Sequence, residues 1–527
     1  ANNCSACEED SVHHRYSRRT VPTMPEGRRR WHGCAHVPQH GPDSIHSWLV
    51  AGACALACFF AMAGRRSAGF LFVAILDTFQ VNRSEGSWPI MLMGGLVYLA
   101  GLITGPLAHR FNARPVIIAG AVISGVGAML SFFPVTITAM TVTLGAIHAI
   151  GAGMVFVVSP TIISEHFVKH KGLAMGINFT GVTMGTFAFP KLLEYLTKSY
   201  GLRGALLIFG AIVMNGLAFS LFPRTPKWRS APPEQKQGSS PATGAEKHGT
   251  LRHGLTVFKH PIFYLVMYSF IVHSFGFECY ISLFVDFAVD RGVAVSSAVT
   301  MVSLGAIAEA LGRLTLPAAV DRGWLTNKQL IVIIFSVQGC MFILLPFLYI
   351  HGLIFAVAVV IAYTIGTGLV LFPVILATYL GLERMSMSYG MVIASAGILS
   401  FIKPSVVGHF RDQVGAYDVL FVICGALIAF AAVMWIAVFT WELRERKKTN
   451  HGNSRCSWHR CQRYKNVDLR RKSASRRLTH TAKRKNEYLL ELLFAEVECI
   501  LWPLFRIVCS RTGHCFSCHV SKLLSLV

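Results

Sequence analysis

An all-α, polytopic membrane protein of twelve spans in two sets of six is the fold class that this sequence predicts, on three observations. Of the 527 residues, 53% are hydrophobic and only 14% are Asp, Glu, Lys or Arg. That is too little charge to cover the two to four soluble domains such a length would otherwise suggest. The apolar residues fall in runs of about 20, the length a helix needs to cross a bilayer. Six such runs precede a polar break and six follow it.

Taken in order, residues 1–46 are polar and rich in Arg and His, and nothing in them could bury a core, so a disordered cytosolic tail is expected. Arg18-Arg19 and Arg28-Arg29-Arg30 are not followed by a short apolar core with a cleavage site. The first long run is therefore read as an uncleaved anchor. Spans are predicted at 47–73, 88–108, 115–133, 137–163, 172–193 and 203–222, forming an N-terminal half over 47–222. Residues 223–261, with Pro232-Pro233 and Gly238-Ser239-Ser240-Pro241, read as a flexible cytosolic linker. A C-terminal half over 262–440 follows, with spans at 262–286, 295–319, 329–350, 353–380, 386–409 and 418–440. Residues 441–527 form a basic cytosolic tail. Its last apolar stretch, Tyr488 to Val508, contains Glu491, Glu496, Glu498 and Arg506 and reads as peripheral.

The net charge of +23 does not imply nucleic acid, because the cations sit in the tails and in alternate short loops rather than on one basic face. With the amino terminus inside, the inner loops hold Arg110, Arg114, Lys169, Lys171, Arg322, Lys328, Arg384 and the basic linker. The outer loops hold only Arg83, Lys198, Arg203, Arg291 and Arg411. Both termini are thus expected in the cytosol. Of 14 cysteines, Cys54, Cys58, Cys279, Cys340 and Cys424 lie singly in apolar runs, which is no disulfide framework. His514-Cys515-Phe516-Ser517-Cys518-His519 has zinc-like spacing but no folded context, so no metal site and no cofactor are assigned.

The chemistry-bearing residues are the charges inside the spans. Glu309 and Arg313, in the apolar run from about Val295 to Ala319, are four apart and share one helix face. Each would cost about 2.5–3.5 kcal/mol at bilayer depth. They are expected to line a polar path through the protein; the plainer role is a structural pair pinning one helix to its neighbour. Glu278, after Phe275-Gly276-Phe277, is either a second proton carrier or, more plainly, the partner of a neighbouring cation or an outer-vestibule residue. Arg65 points about 100° round the helix from Arg66, so only one of the two is expected to reach the cavity. His148 reads as a packing histidine and Asn178 as an interhelical hydrogen-bond donor. Gly and Pro are frequent in the spans, permitting close approach and bends. Six plus six with a linker suits a transporter whose halves rock about a mid-membrane site.

Several stretches over about Asp43 to Thr440 together resemble the monocarboxylate transporters, a branch of the major facilitator superfamily. Asp43 and Trp48 match the outer residues of that family's first-span signature, and Arg66-Ser67 stands where proton-coupled members have Lys-Ser. Gly105-Pro106-Leu107-Ala108-His109-Arg110-Phe111 with Arg114-Pro115 is similar to the superfamily's loop between spans two and three. Tyr200-Gly201-Leu202-Arg203-Gly204-Ala205 is similar to the start of span six. Gly381-Leu382-Glu383-Arg384 with Tyr389-Gly390, and Lys403-Pro404 to Tyr417-Asp418, are similar to the loops before spans eleven and twelve. His109 and Glu165 depart from the family at the inner gating loops.

The resemblance implies the major facilitator fold and a secondary active transporter of monocarboxylates such as lactate or pyruvate, coupled to protons by symport. Its location would be the plasma membrane, and its partner an accessory single-span membrane glycoprotein such as some members use. By the same resemblance Glu309 would carry the proton, Arg313 and Arg66 would hold the substrate carboxylate, and Tyr363 and Ile365 would set substrate size. Arg cannot lose its proton as a buried Lys can. Arg66 therefore keeps open the alternative of a facilitative carrier for larger or aromatic organic anions or amino acids. An enzyme is not expected: His-Glu-x-x-His, Gly-x-Ser-x-Gly and nucleotide-binding glycine loops are all missing.

Overall fold

The computed structural model describes residues 41–224, 226, 256–410 and 417–461. The expectations placed on 1–40, on most of the linker, on Arg411 and on 462–527, including the zinc-like motif, lie outside those residues. Every element among the described residues is helical. The first crossing is broken into α1 (Ile45–Ala61), α2 (Ala63–Arg66) and α3 (Ala68–Phe79). The second comprises α4 (Arg83–Leu99) and α5 (Gly101–Phe111), and the third is α6 (Ala113–Leu130). The fourth runs through α7 (Ile137–Met140), a π-helical stretch Thr141–His148 and α8 (Ala149–His166). α9 (Lys171–Leu221) holds the fifth and sixth. After a short 3-10 turn come α10 (Pro261–Asp290), α11 (Val295–Asp321), α12 (Asn327–Leu344), α13 (His351–Leu380), α14 (Met385–His409) and α15 (Asp418–Cys461).

Ten described helices are long and apolar enough to cross a membrane. One of them, α9, is two crossings joined at Gly201, and the interrupted first crossing supplies the twelfth. The two departures from the predicted spans have local causes. Gly201 adopts φ +67°, a conformation that costs glycine little, so spans five and six join without an intervening loop. Met62 (φ −86°, ψ 2°) and Ser67 (φ −100°, ψ 10°) bracket α2 and bend the first crossing around it. The backbone stays paired there: Arg66 N–H donates to the Met62 carbonyl at 3.0 Å and Leu71 N–H to that of Ser67 at 3.0 Å. Unpaired backbone is expensive in lipid, and none is needed to make this bend.

α8 and α13 are buried almost all round and form the centre of their respective six-helix sets. The two sets meet along seams of small residues. A Cβ built on Gly101 of α5 would lie 2.2 Å from the Gly390 carbonyl of α14, and one on Gly176 of α9 would lie 2.1 Å from the Arg313 carbonyl of α11. At the end of the bundle that carries the basic loops, the Asp321 carboxylate accepts from Gly172 N–H (3.0 Å) and Leu173 N–H (2.7 Å). A carboxylate is well placed at a helix N-terminus, and here it joins α11 of one half to α9 of the other.

Gly101→Ala should therefore force α5 and α14 apart, costing about 1–3 kcal/mol in overpacking. Thermal unfolding of the detergent-purified protein checks this: Gly101→Ala lowers Tm, whereas Gly52→Ala, with nothing within 4 Å of the added carbon, leaves it unchanged.

Candidate functional site

Glu309 and Arg313 face α9 across the seam between the halves. Arg313 Nη2 donates to Glu309 Oε1, while Nη1 donates to the Phe179 carbonyl and to Thr183 Oγ1. Thr183 Oγ1 lies 3.5 Å from Glu309 Oε1. On its other side Glu309 is 3.7 Å from Arg66 Nη2, so one carboxylate stands between two guanidiniums. Side-chain exposure is 6% for Glu309, 1% for Arg313 and 13% for Arg66. The pair is shielded from lipid as its cost demands, but it does not line an open polar path in this conformation. The seam with α9 seals it, because Gly176 lets the two backbones close over the arginine. Arg313 Nε has no hydrogen-bond partner among the described residues.

α13 supports this arrangement from behind. A Cβ on Gly312 would lie 2.2 Å from the Tyr363 carbonyl, one on Gly366 would lie 2.1 Å from the Glu309 carbonyl, and Thr367 Oγ1 donates to the Gly312 carbonyl at 2.9 Å. The Tyr363 hydroxyl lies 2.6 Å from Thr315 Oγ1, on the exposed side of α11. Ile365 is buried in the core. In this conformation the stretch 363–367 backs the helix that bears the charges.

Arg66 is positioned by a glycine and a histidine. A Cβ on Gly64 would lie 2.5 Å from His148 Nε2, so α2 sits directly on that ring. His148 Nδ1 lies 3.0 Å from the Ser124 carbonyl and 3.1 Å from its Oγ, which fixes the ring as a packing group. Asn178 Nδ2 donates to Ser159 Oγ at 3.1 Å, between helices.

Arg65 is also engaged, and the expectation that only one of the two arginines reaches the interior is corrected. Its Nη2 donates to Glu278 and to the Tyr98 hydroxyl (3.0 Å), its Nη1 to the Gly94 carbonyl (3.2 Å), and the guanidinium lies 4.6 Å from the Tyr98 ring centre. With α2 bracketed by two bends, adjacent residues serve two different groups. Glu278 has a second cation, Lys403, whose Nζ donates to Glu278 Oε2 at 3.3 Å and to Ser282 Oγ at 3.1 Å. Lys403 lies in α14, within the span predicted at 386–409. Sequence reading missed Thr183, the Phe179 carbonyl, Tyr98 and Lys403 as site groups; only Lys403, a charge inside a predicted span, carried a usable signal.

Asp43, at φ +60°, accepts from the N–H groups of Val168 (3.2 Å), Lys169 (2.9 Å) and His170 (2.9 Å), and Trp48 packs edge-on against Phe167 at 4.9 Å. These two signature residues thus secure the turn between α8 and α9, away from the buried charges. His109 Nδ1 lies 3.2 Å from the Glu383 carbonyl, within a cavity of about 260 Å³ at the basic end that Arg114, Glu165 and Arg224 also line. Among the described residues no three His, Cys, Asp or Glu side chains gather as a metal site.

Two six-helix sets with buried charges at their common seam are the arrangement expected of a membrane transporter. Residues 54–380 match the model of the Major Facilitator Superfamily, and the chain belongs to that superfamily. Within it, the chain is similar to monocarboxylate transporter 12 of Homo sapiens, at 23% identity over 75% of this chain and 80% of that one. It is likewise similar to monocarboxylate transporter 2 of Homo sapiens, at 25% identity over 82% and 92%. Among solved structures, the superfamily transporter FucP in its outward conformation superposes with a TM-score of 0.57 at 15% identity, over 74% of this chain and 99% of that one.

Breaking a buried pair by removing one partner typically costs about 3–5 kcal/mol, because the other charge is stranded. Glu309→Gln and Arg313→Gln should each lower Tm, and the double variant should lose clearly less than the sum. Additive losses in thermal unfolding would show that the two side chains do not act as a pair.

Proposed function

We propose that the protein is a proton-coupled symporter of monocarboxylates, working by alternating access with its basic end and both termini in the cytosol, in the plasma membrane. The observation that carries this reading is the sharing of one carboxylate, Glu309, between Arg313 and Arg66 from opposite halves. A guanidinium holds a planar carboxylate through two parallel hydrogen bonds, so a substrate anion is a direct competitor of Glu309 for these donors. When the substrate takes them, Glu309 is left charged in a place where bare charge is costly, and it takes up a proton. Anion and proton then cross together as a neutral load. The opening that admits the substrate must part the seam of α9 and α11, since Arg313 is sealed there. The similarity to two monocarboxylate transporters supports the same reading.

Uptake of labelled lactate or pyruvate into proteoliposomes at two pH values tests it. The wild-type protein should show acid-stimulated uptake, and Glu309→Gln should lose the pH dependence; an unchanged dependence would overturn the assigned role. Arg66 acts here as a fixed positive anchor rather than a titrating amine. Arg66→Gln should raise KM about tenfold, equivalent to about 1.4 kcal/mol of binding, while Arg66→Lys retains most of the affinity. Equal KM values for the wild type and Arg66→Gln would remove Arg66 from the site.

A further inference from the structure

Three donors converge on one oxygen of Glu309. Oε1 accepts from Arg313 Nη2 of its own helix, and stands 3.7 Å from Arg66 Nη2 of α2 and 3.5 Å from Thr183 Oγ1 of α9. The last two belong to the N-terminal half, and Thr183 is the side chain through which α9 reaches the carboxylate. Thr183 is fully buried, and so is Phe179 one turn before it.

The hydroxyl of Thr183 is directed differently from those of other threonines in the bundle. Inside a helix a threonine commonly donates its O–H to the carbonyl four residues back. Thr104, Thr180, Thr300 and Thr315 all do so, at 2.7–2.8 Å. For Thr183 that carbonyl is the one of Phe179, and it accepts from Arg313 Nη1, which also donates to Thr183 Oγ1. With Arg313 lying over both acceptors, the hydroxyl proton of Thr183 is turned from its own helix towards Glu309. A hydroxyl is one donor and two acceptors. It therefore meets either form of the acid, donating to an ionised Glu309 and accepting from a protonated one.

We infer that Thr183 is a positioning residue for the coupled proton: its hydroxyl, freed from its own helix by Arg313, ties α9 to Glu309 and sets how readily Glu309 takes up a proton while the seam is closed. An O–H donor directed at a carboxylate stabilises the charged form, and without it protonation is easier. Among the described residues, the other titratable groups acting on the Glu309–Arg313 pair are Arg66 of α2, Tyr98 of α4, and His273 and Tyr280 of α10. From α13, Tyr363 turns its hydroxyl to Thr315 instead. Thr183 is the uncharged donor that arrives and leaves with the opposite half. This inference rests on the proposed role of Glu309 as proton carrier and adds the group that regulates it.

Thr183→Val keeps the shape and removes the hydroxyl, whereas Thr183→Ser keeps the hydroxyl; Thr183→Ala replaces the valine variant should that not fold. The pH profile of lactate uptake into proteoliposomes is the first readout. Its midpoint should move up by about 0.5–1 pH unit in Thr183→Val, the worth of one hydrogen bond, and stay at the wild-type value in Thr183→Ser. The second readout needs no transport. A carbodiimide modifies carboxyl groups in their protonated form, so labelling of Glu309 against pH in detergent, read by mass spectrometry, should give the same pattern of midpoints. Midpoints that stay put in Thr183→Val, or move equally in Thr183→Ser, overturn the inference; a lowered Tm with unmoved midpoints marks a merely structural threonine. If wild-type uptake does not respond to acid while the labelling midpoints move as expected, the symport reading falls and the hold of Thr183 on Glu309 stands.

Discussion

A carboxylate held between guanidiniums from two halves of a protein cannot lose one of them cheaply. Glu309 is nearly dry, and so is Arg313; when the halves part, Arg66 and Glu309 must separate in a medium that screens charge poorly. On the proposed function, that cost is what couples movement to binding. An empty carrier that rocked freely would, on the same reading, pull Glu309 from Arg66 at each stroke, whereas in a loaded one Glu309 is protonated and a movable substrate carboxylate takes its place. Only differential interaction with the two states can shift a conformational equilibrium, and a matched or unmatched Glu309 is such a difference.

The rest of the fold places those charges and keeps them apart from lipid. Beside the charged contacts, the seam is closed by glycine against backbone carbonyl, at Gly101, Gly176 and Gly390. Such contacts are made by shape alone and carry no charge to strand, so they can open and re-form. The first crossing is irregular at α2, between Met62 and Ser67, where both arginines need their own directions. Broken helices at membrane depth are tolerated where they are buried in protein, and α2 rests on His148 with its hydrogen bonds intact.

Much of this was legible in the residues. Hydropathy gave the twelve crossings because lipid forces every span to be long and apolar, and the same force made Glu309, Arg313 and Glu278 conspicuous. The joined fifth and sixth crossings were not legible, because Gly201 reads equally as a loop residue. Nor was the reach of Arg65: a regular helix sends neighbours 100° apart, and only the two bends around α2 and the partner Glu278 on α10 reveal that both directions are useful. Thr183 and the Phe179 carbonyl were invisible for a different reason. A threonine and a backbone oxygen in an apolar run carry no pattern of their own until a guanidinium from another helix meets them.

The burial of Arg313 also constrains the order of events. Its contacts to the Phe179 carbonyl and Thr183 belong to α9, in the opposite half, so opening of the α9–α11 seam removes both at once. Arg313 Nε is already without a partner among the described residues. On the proposed function, a guanidinium released from α9 can offer both its Nη groups to an arriving planar carboxylate, which then displaces Glu309 from it. The nitrogen atoms that hold the closed state are thus the ones the proposed function assigns to the substrate anion. A second set of cations beside them, on the adjacent residue of the same short helix, would feel the same opening, since Arg65 and Glu278 also lie on opposite halves.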